Sequence, residues 1–374
     1  MKICIVADVL GEPNNGTTLA CLNLINELRS EGHEVRILCS DKSKKGKEGY
    51  FVVPTLYLPF LMKKLERNNV SLSKPDKRIV EESLDGVDIC HLMIPFALSR
   101  AALKACLKKG IPVTAGFHCQ AENFSAHIAM MNGTFFNNAI YKNFYRCVYS
   151  KVDAIHYPTQ FIKDLFEGKT NCRTKGYVIS NGVNDIFKKE DREKVPYQIL
   201  MIGRLSKEKS QETLLKAVSL SEYRDKIKLV LAGQGPRRDY LEKLARRLGI
   251  DVKMKFYPRE ELVKVINESE LYVHSSKMEI EAISCLEAIS CGLVPVISDS
   301  PRSATGAFAI DERCRFRYDD PSDLASKIDY WFEHPKERAE ESDRYLGYSK
   351  RFDQTACMKK MTEMFEEVIK NHEK

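Results

Sequence analysis

A chain of 374 residues, 43% hydrophobic and 30% charged, is globular rather than disordered, and too long for one ordinary core. Its net charge of +7 belongs wholly to the first half, with 26 Lys/Arg against 19 Asp/Glu over residues 1–190 and 33 against 33 over 191–374. Such a half attracts an anionic partner, and with no helix-turn-helix, zinc-finger or RNA-stacking signature a membrane surface is favoured over nucleic acid.

The segment Lys2–Ala7 is a buried-strand pattern; Asp8 interrupts it, which leaves an apolar run too short for a signal peptide. After a Gly/Pro/Asn loop, Leu19, Leu22, Leu24, Ile25 and Leu28 give Thr17–Ser30 a helical period that stops at Gly32. Strands are predicted at Glu34–Cys39, Asp88–Met93, Pro112–Gly116 and Ala154–Tyr157, with helices at Ser99–Lys109 and Thr159–Phe166. The pattern restarts with strands at Gln198–Ile202, Lys228–Ala232, Leu271–His274 and Val294–Ile297, and helices at Gln211–Ser221 and Asp239–Leu248. Alternation of this kind implies an α/β chain with two Rossmann-like, doubly wound parallel sheets facing a cleft. The expected domains are 1–190, 191–350 and a C-terminal helix, 351–374, that crosses back to the first domain. Met358, Met361, Phe365, Val368 and Ile369 mark the buried face of that helix. Phe187–Pro196 reads as a linker. Twelve scattered cysteines without a C-x-x-C pair suggest reduced thiols in a cytosolic protein, with neither zinc site nor disulfide framework. No run approaches the roughly 20 apolar residues of a membrane span.

Two carboxylates in the second half stand out. Glu279 and Glu287 are separated by seven residues in Met278–Gly292, and Ser284-x-x-Glu287 reads as a capping box opening a short helix. Fully helical, the pair would lie about 12 Å apart along the axis. With Glu279 in the preceding loop, both carboxylates and the first-turn amides can surround one ligand bearing hydroxyls and phosphates. The bland alternative is a capping glutamate and a solvated loop charge. Arg204 and Lys209, in the loop after Gln198–Ile202, suit a diphosphate. Gly233-Gln234-Gly235-Pro236 permits close backbone approach, although a lone G-x-G is a weak signal and Arg238 stands where a third glycine would be. Asn181-Gly182 favours a turn. His118 lies just past a strand end; His274 is its main rival. No Asp-x-Asp metal clamp occurs.

Taken in order, Asn15-Gly16-Thr17, His118, Ser180–Val183, Gly203-Arg204…Lys209, Gly233-x-Gly235-Pro236 and Glu279-x7-Glu287 resemble the retaining glycosyltransferases of the GT-B type, family 4. Lys74-Pro75-Asp76, Gly116-Phe117-His118, Glu281–Ser290 and Asp299–Thr305 are similar to the branch that glucosylates sterols and diacylglycerol, and Ala282 replaces a glycine frequent in the wider family. The resemblance implies that Arg204 and Lys209 bind the donor diphosphate with Gly16 against it, that Glu287 takes the ribose hydroxyls and Glu279 the transferred sugar, and that His118 meets the sugar near its 6-hydroxyl. On the same ground His118, Glu279, Arg204 and Lys209 form the catalytic set, with Gly16, Asn181, Gly235, Ile283, Ser284 and Glu287 binding the donor. The implied reaction moves glucose from UDP-glucose to a lipid acceptor with retention, without cofactor or essential metal. Another donor (UDP-galactose or GDP-mannose), a soluble sugar acceptor, and a catalytically silent nucleotide-sugar-binding scaffold are the alternatives.

For a peripheral place on the inner face of the cell membrane, Arg100, Lys104 and Lys108 repeat as one basic stripe with Lys109 beside it, and Phe60–Lys64 mixes apolar and charged residues. Phe135 and Phe136 open an aromatic stretch that includes Tyr141, Phe144, Tyr145 and Tyr149; the competing reading makes the stripe a solvated face and the aromatics core.

Overall fold

A computed structural model describes residues 1–8, 10, 16–56, 73–122 and 134–372. The chain divides into two compact units. The first is Met1–Asn181 together with Cys357–Lys374, and the second is Gly182–Ala356.

In the first unit the strands are β1 (Lys2–Ala7), β2 (Glu34–Cys39), β3 (Tyr50–Val52), β4 (Ile89–Leu92), β5 (Val113–Gly116), β6 (Ala154–Tyr157) and β7 (Gly176–Val178). They form one sheet in the order β3-β2-β1-β4-β5-β6-β7, and every pairing is parallel. Among the described residues its helices include α1 (Gly16–Ser30), α2 (Lys77–Ser83), α3 (Ala97–Lys109), α4 (Thr134–Cys147) and α5 (Gln160–Thr170). Asp76 caps α2 by accepting from the Ile79 amide, and Thr159 caps α5 by accepting from Ile162. Buried Asp8, at the end of β1, accepts from the Leu98 and Ser99 amides and so caps α3 from across the sheet.

The second unit carries β8 (Gln198–Ile202), β9 (Lys228–Ala232), β10 (Val252–Lys255), β11 (Leu271–His274), β12 (Val294–Ser298) and β13 (Arg315–Phe316). Their order is β10-β9-β8-β11-β12-β13, again all parallel. The helices are α6 (Gln211–Leu220), α7 (Arg238–Leu248), α8 (Arg259–Glu268), α9 (Ile283–Ser290), α10 (Pro321–Glu333) and α11 (Pro335–Ser349). Their apolar faces bury one continuous core with the strands. The segment 187–196 lies in this unit, where Phe187 is buried and the Val195 amide bonds the Glu268 carbonyl.

The last helix, α12 (Gln354–His372), turns Met358, Met361, Met364, Phe365 and Val368 into the first unit's core beside Ile3, Ile5, Ile37 and Ile89. Burying a set of that size, at about 1.5–3 kcal/mol per large side chain, fixes the helix to its sheet. No helix among the described residues is long and apolar enough to cross a membrane.

Candidate active site

Open parallel sheets bind ligands at the carboxyl ends of strands where the strand order reverses. In the second unit that point lies at the pair β8 and β11, which are neighbours by the pairing of Ile199 with Leu271 and Leu200 with Tyr272. The loop after β8 carries Arg204 and Lys209; the loop after β11 carries Glu279. Lys209 Nζ donates to Glu279 Oε1, closing an ion pair between groups that are both mostly shielded from water. The same oxygen lies 3.1 Å from His274 Nε2, and His274 Nδ1 lies 2.9 Å from the Tyr272 hydroxyl. That hydroxyl reaches Ser284 Oγ on α9 at 3.5 Å. A chain of polar contacts thus runs from Lys209 to the first turn of α9.

The electrostatics follow from this chain. Burial works against a charge on Glu279, but the Lys209 ammonium and the His274 bond prevail and hold its carboxyl down to about 2. Burial lowers the His274 pKa despite the bond to Glu279, so the imidazole is neutral near pH 7. The Glu279 backbone is also held: its carbonyl accepts from the Ala304 amide, and Ser300 Oγ donates to the Lys277 carbonyl. The segment Asp299–Thr305 therefore supports the loop that presents Glu279.

Helix α9 departs from the capping box. Its N-cap is Ala282, in the left-handed region at φ 60° and ψ 66°, and makes no side-chain cap bond. Ser284 lies inside the first turn, where its hydroxyl turns to Tyr272. The φ at position 282 explains why glycine suits it, because an L-residue there is strained. The amides of Ile283 and Ser284 have no carbonyl of their own helix to bond, which makes them donors for an anion. Glu287 is buried, with Arg259 Nη2 3.8 Å away; burial pushes its carboxyl up to about 7, Arg259 opposing only in part.

Two glycines are required by close approach. A Cβ on Gly233 would lie 2.0 Å from the Gly203 carbonyl oxygen, and one on Gly235 would lie 2.4 Å from that of Leu205. The ends of β8 and β9 are thereby pressed together beside Arg204. The Arg204 carbonyl accepts from Gln211 Nε2, and the Lys209 stem folds over Gly203, 3.4 Å from where its Cβ would be.

In the first unit, His118 follows β5 and is buried. Thr17 Oγ1 donates to the His118 carbonyl at 3.2 Å, which ties the Gly16-Thr17 start of α1 to this residue. Asn181 is buried and shares a small cavity with His118 and His156. Gly182 follows at φ 73°, the positive φ expected of Asn-Gly. Burial, with His156 and His91 adding to it, keeps the His118 pKa well below its ordinary value. Gly16 is exposed at the first position of α1; Asn15 lies outside the described residues.

Arg100, Lys104 and Lys108 are exposed along α3, and Arg100 Nη2 donates to Asn143 Oδ1 of α4 at 2.8 Å. Phe135, at the start of α4, is 89% exposed and Phe136 half-buried. Tyr141, Phe144 and Tyr149 are core instead: Tyr141 and Tyr149 gather with Phe166 around Phe117, and Phe144 meets Phe96. Phe60–Lys64 lies outside the described residues.

Sequence reasoning missed His274 as the partner of Glu279 and Arg259 as that of Glu287. The strand-end position of His274 was the one signal; Arg259 gave none.

Residues 14–186 match the family described as Glycosyltransferase Family 4, and residues 183–351 match Glycosyl transferases group 1. Alpha-monoglucosyldiacylglycerol synthase of Streptococcus pneumoniae is 25% identical over 80% of this chain and 71% of its own length. The catalytic domain of cholesterol-alpha-glucosyltransferase from Helicobacter pylori is 42% identical over 42% of this chain and all of its own, at a TM-score of 0.40. Alr3699/HepE of Anabaena, solved with UDP and glucose, is 16% identical but follows the fold over 98% of this chain and all of its own, at a TM-score of 0.75. A family 4 domain followed by a group 1 domain, each built on a parallel Rossmann-like sheet, places the chain among the GT-B glycosyltransferases.

Proposed function

We propose that the second unit binds UDP-glucose and that the protein transfers the glucosyl group, with retention, to diacylglycerol or a sterol at an anionic membrane surface. The observation that carries the reading is the Lys209–Glu279–His274 arrangement at the strand-order reversal, two loop charges brought together beside the free amides of α9. Lys209 and Arg204 supply cations for a diphosphate leaving group, and the Ile283 and Ser284 amides add dipolar donors. Glu279, anionic throughout the physiological range, accepts from sugar hydroxyls. Glu287 accepts from the ribose. His118 is assigned to the sugar's 6-hydroxyl by family resemblance.

In the front-face route, the bond from the anomeric carbon to the β-phosphate oxygen breaks as the acceptor oxygen approaches from the same side. The acceptor proton passes to the departing phosphate, which needs no separate base. The lipid acceptor is supported by the glucolipid named in the pneumococcal relative and by the exposed stripe of Arg100, Lys104 and Lys108 joined to α4, where Phe135 is exposed.

Thermal shifts with a panel of donors test the reading. UDP-glucose is expected to raise the melting temperature more than UDP-galactose or GDP-mannose. A larger shift with GDP-mannose, or none with any donor, counts against it.

A further inference from the structure

Three neighbouring strands of the first unit each lead one histidine to the same place. His91 on β4 pairs with Thr114 on β5, and Gly116, two residues on, pairs with His156 on β6. Residues two apart in a strand share a face, so Thr114 and Gly116 look the same way. His91 Nδ1 meets Thr114 Oγ1 at 2.8 Å on that face. The space over Gly116 is filled from beyond the strand by His118: an added Cβ would lie 2.5 Å from His118 Nε2 and 3.4 Å from His91 Nε2. His156 completes the group, its ring centroid 5.3 Å from that of His118. One nitrogen from each of the three lies within 4.8 Å of the others.

The bond made by His156 turns a lone pair inward. His156 Nε2 lies 2.7 Å from the Ile179 carbonyl, which only accepts, so Nε2 carries the proton and Nδ1 is a bare lone pair. His156 Nδ1 and His91 Nε2 are both buried without a hydrogen-bond partner. A ring nitrogen fixed on a backbone carbonyl or hydroxyl while the other faces a shared point is the outer support that metal-binding imidazoles use. Burial keeps the rings neutral near pH 7, lowering His91 to about 3 and His156 to about 4. Beside them lies a cavity of about 10 Å³, bordered by Asn181, Met93, Met358 and Met361, the size of a single water.

We propose that His91, His118 and His156 form a binding site for a divalent borderline transition-metal ion, zinc foremost, with its fourth position open to this cavity. Bonds of about 2.0–2.1 Å in a tetrahedral site place nitrogens about 3.3 Å apart, so the cluster has to tighten by no more than about 1.5 Å. The ion is no cofactor here: it takes up His118, and on the functional reading above it would inhibit transfer. The binding itself does not rest on that reading.

Cobalt(II) titrated into the full chain, freed of metal by chelation and kept with reduced thiols, reports the site by its visible d–d absorption. One equivalent should develop a tetrahedral, nitrogen-ligand spectrum that zinc displaces. His156→Gln and His118→Gln should each weaken cobalt binding at least about 100-fold, since loss of an outer partner alone costs 10–100-fold. If His156→Gln melts unlike the parent, His118→Gln decides. No visible band at equimolar metal, a thiolate charge-transfer band, or a band unchanged in a folded His118→Gln would overturn the proposal. None of these results bears on donor binding, which the melting shifts with UDP-glucose read separately.

Discussion

Lys209 and Glu279, seventy residues apart in the chain, form an ion pair at the carboxyl ends of the adjacent strands β8 and β11. Both are shielded, so removing one leaves the other uncompensated, at a cost of about 3–5 kcal/mol if no water replaces it. Lys209→Ala and Glu279→Gln are each expected to lower kcat by about 10²–10³, the loss typical of one electrostatic contact to a developing charge. Release of UDP by purified variants measures this. Turnover unchanged in both would remove the pair from the catalytic set, and no UDP release by the parent would favour a scaffold over an enzyme.

Glu287 yields a prediction about pH. Its folded carboxyl titrates at about 7 against an ordinary 4.5, so between those values the folded protein holds a proton that the unfolded chain has released. Stability contributed by the protonated form is therefore lost as pH rises from about 4.5 through 7, on the order of 3 kcal/mol in full. Glu287→Gln should raise the melting temperature at pH 8, with little change at pH 4.5. If ribose hydroxyls bond the ionised carboxylate, UDP binds more weakly below pH 7 and this dependence disappears in Glu287→Gln. Calorimetry from pH 4.5 to 8 measures both effects.

Ala282 holds φ 60° without the freedom of glycine. Ala282→Gly should stabilise the protein by about 0.5–1 kcal/mol, the relieved strain partly offset by greater freedom of the unfolded chain. The urea midpoint should rise with an unchanged slope. A fall in the midpoint would show that the alanine methyl packs well enough to outweigh its backbone strain.

Much of the fold was legible in the sequence. Strands β1, β2, β6, β8, β9 and β11 have the predicted limits, because buried parallel strands are short apolar runs between turn residues. Strands β3, β7, β10 and β13 gave no such signal; they are short sheet-edge or near-edge strands, and β3, β7 and β10 are largely incompletely buried. Ser284-x-x-Glu287 misled because a capping box assumes an extended N-cap, whereas the left-handed Ala282 turns the chain two residues earlier. The aromatic stretch divides in a way the sequence does not mark: one helix carries exposed Phe135 and buried Tyr141, and only the helix's packing separates them. Strand order and register put His274 against Glu279 and gather His91 with His156; neither is written in local sequence.

The basic stripe on α3 makes a further prediction. Each cation near anionic lipid adds about 1 kcal/mol, so reversing Arg100, Lys104 and Lys108 together should weaken vesicle binding by about 100-fold or more. Added salt should weaken the parent in the same direction. Flotation with phosphatidylglycerol vesicles measures both, and binding indifferent to salt and to charge reversal would reject a role for the stripe.

The most direct measurement is mass spectrometry of lipids from vesicles of diacylglycerol or sterol incubated with isotopically labelled UDP-glucose. The account predicts a monoglucosylated lipid carrying the label, α-linked by NMR and absent with Glu279→Gln. Labelled donor consumed without any glycolipid, or a β-linked product, would contradict it.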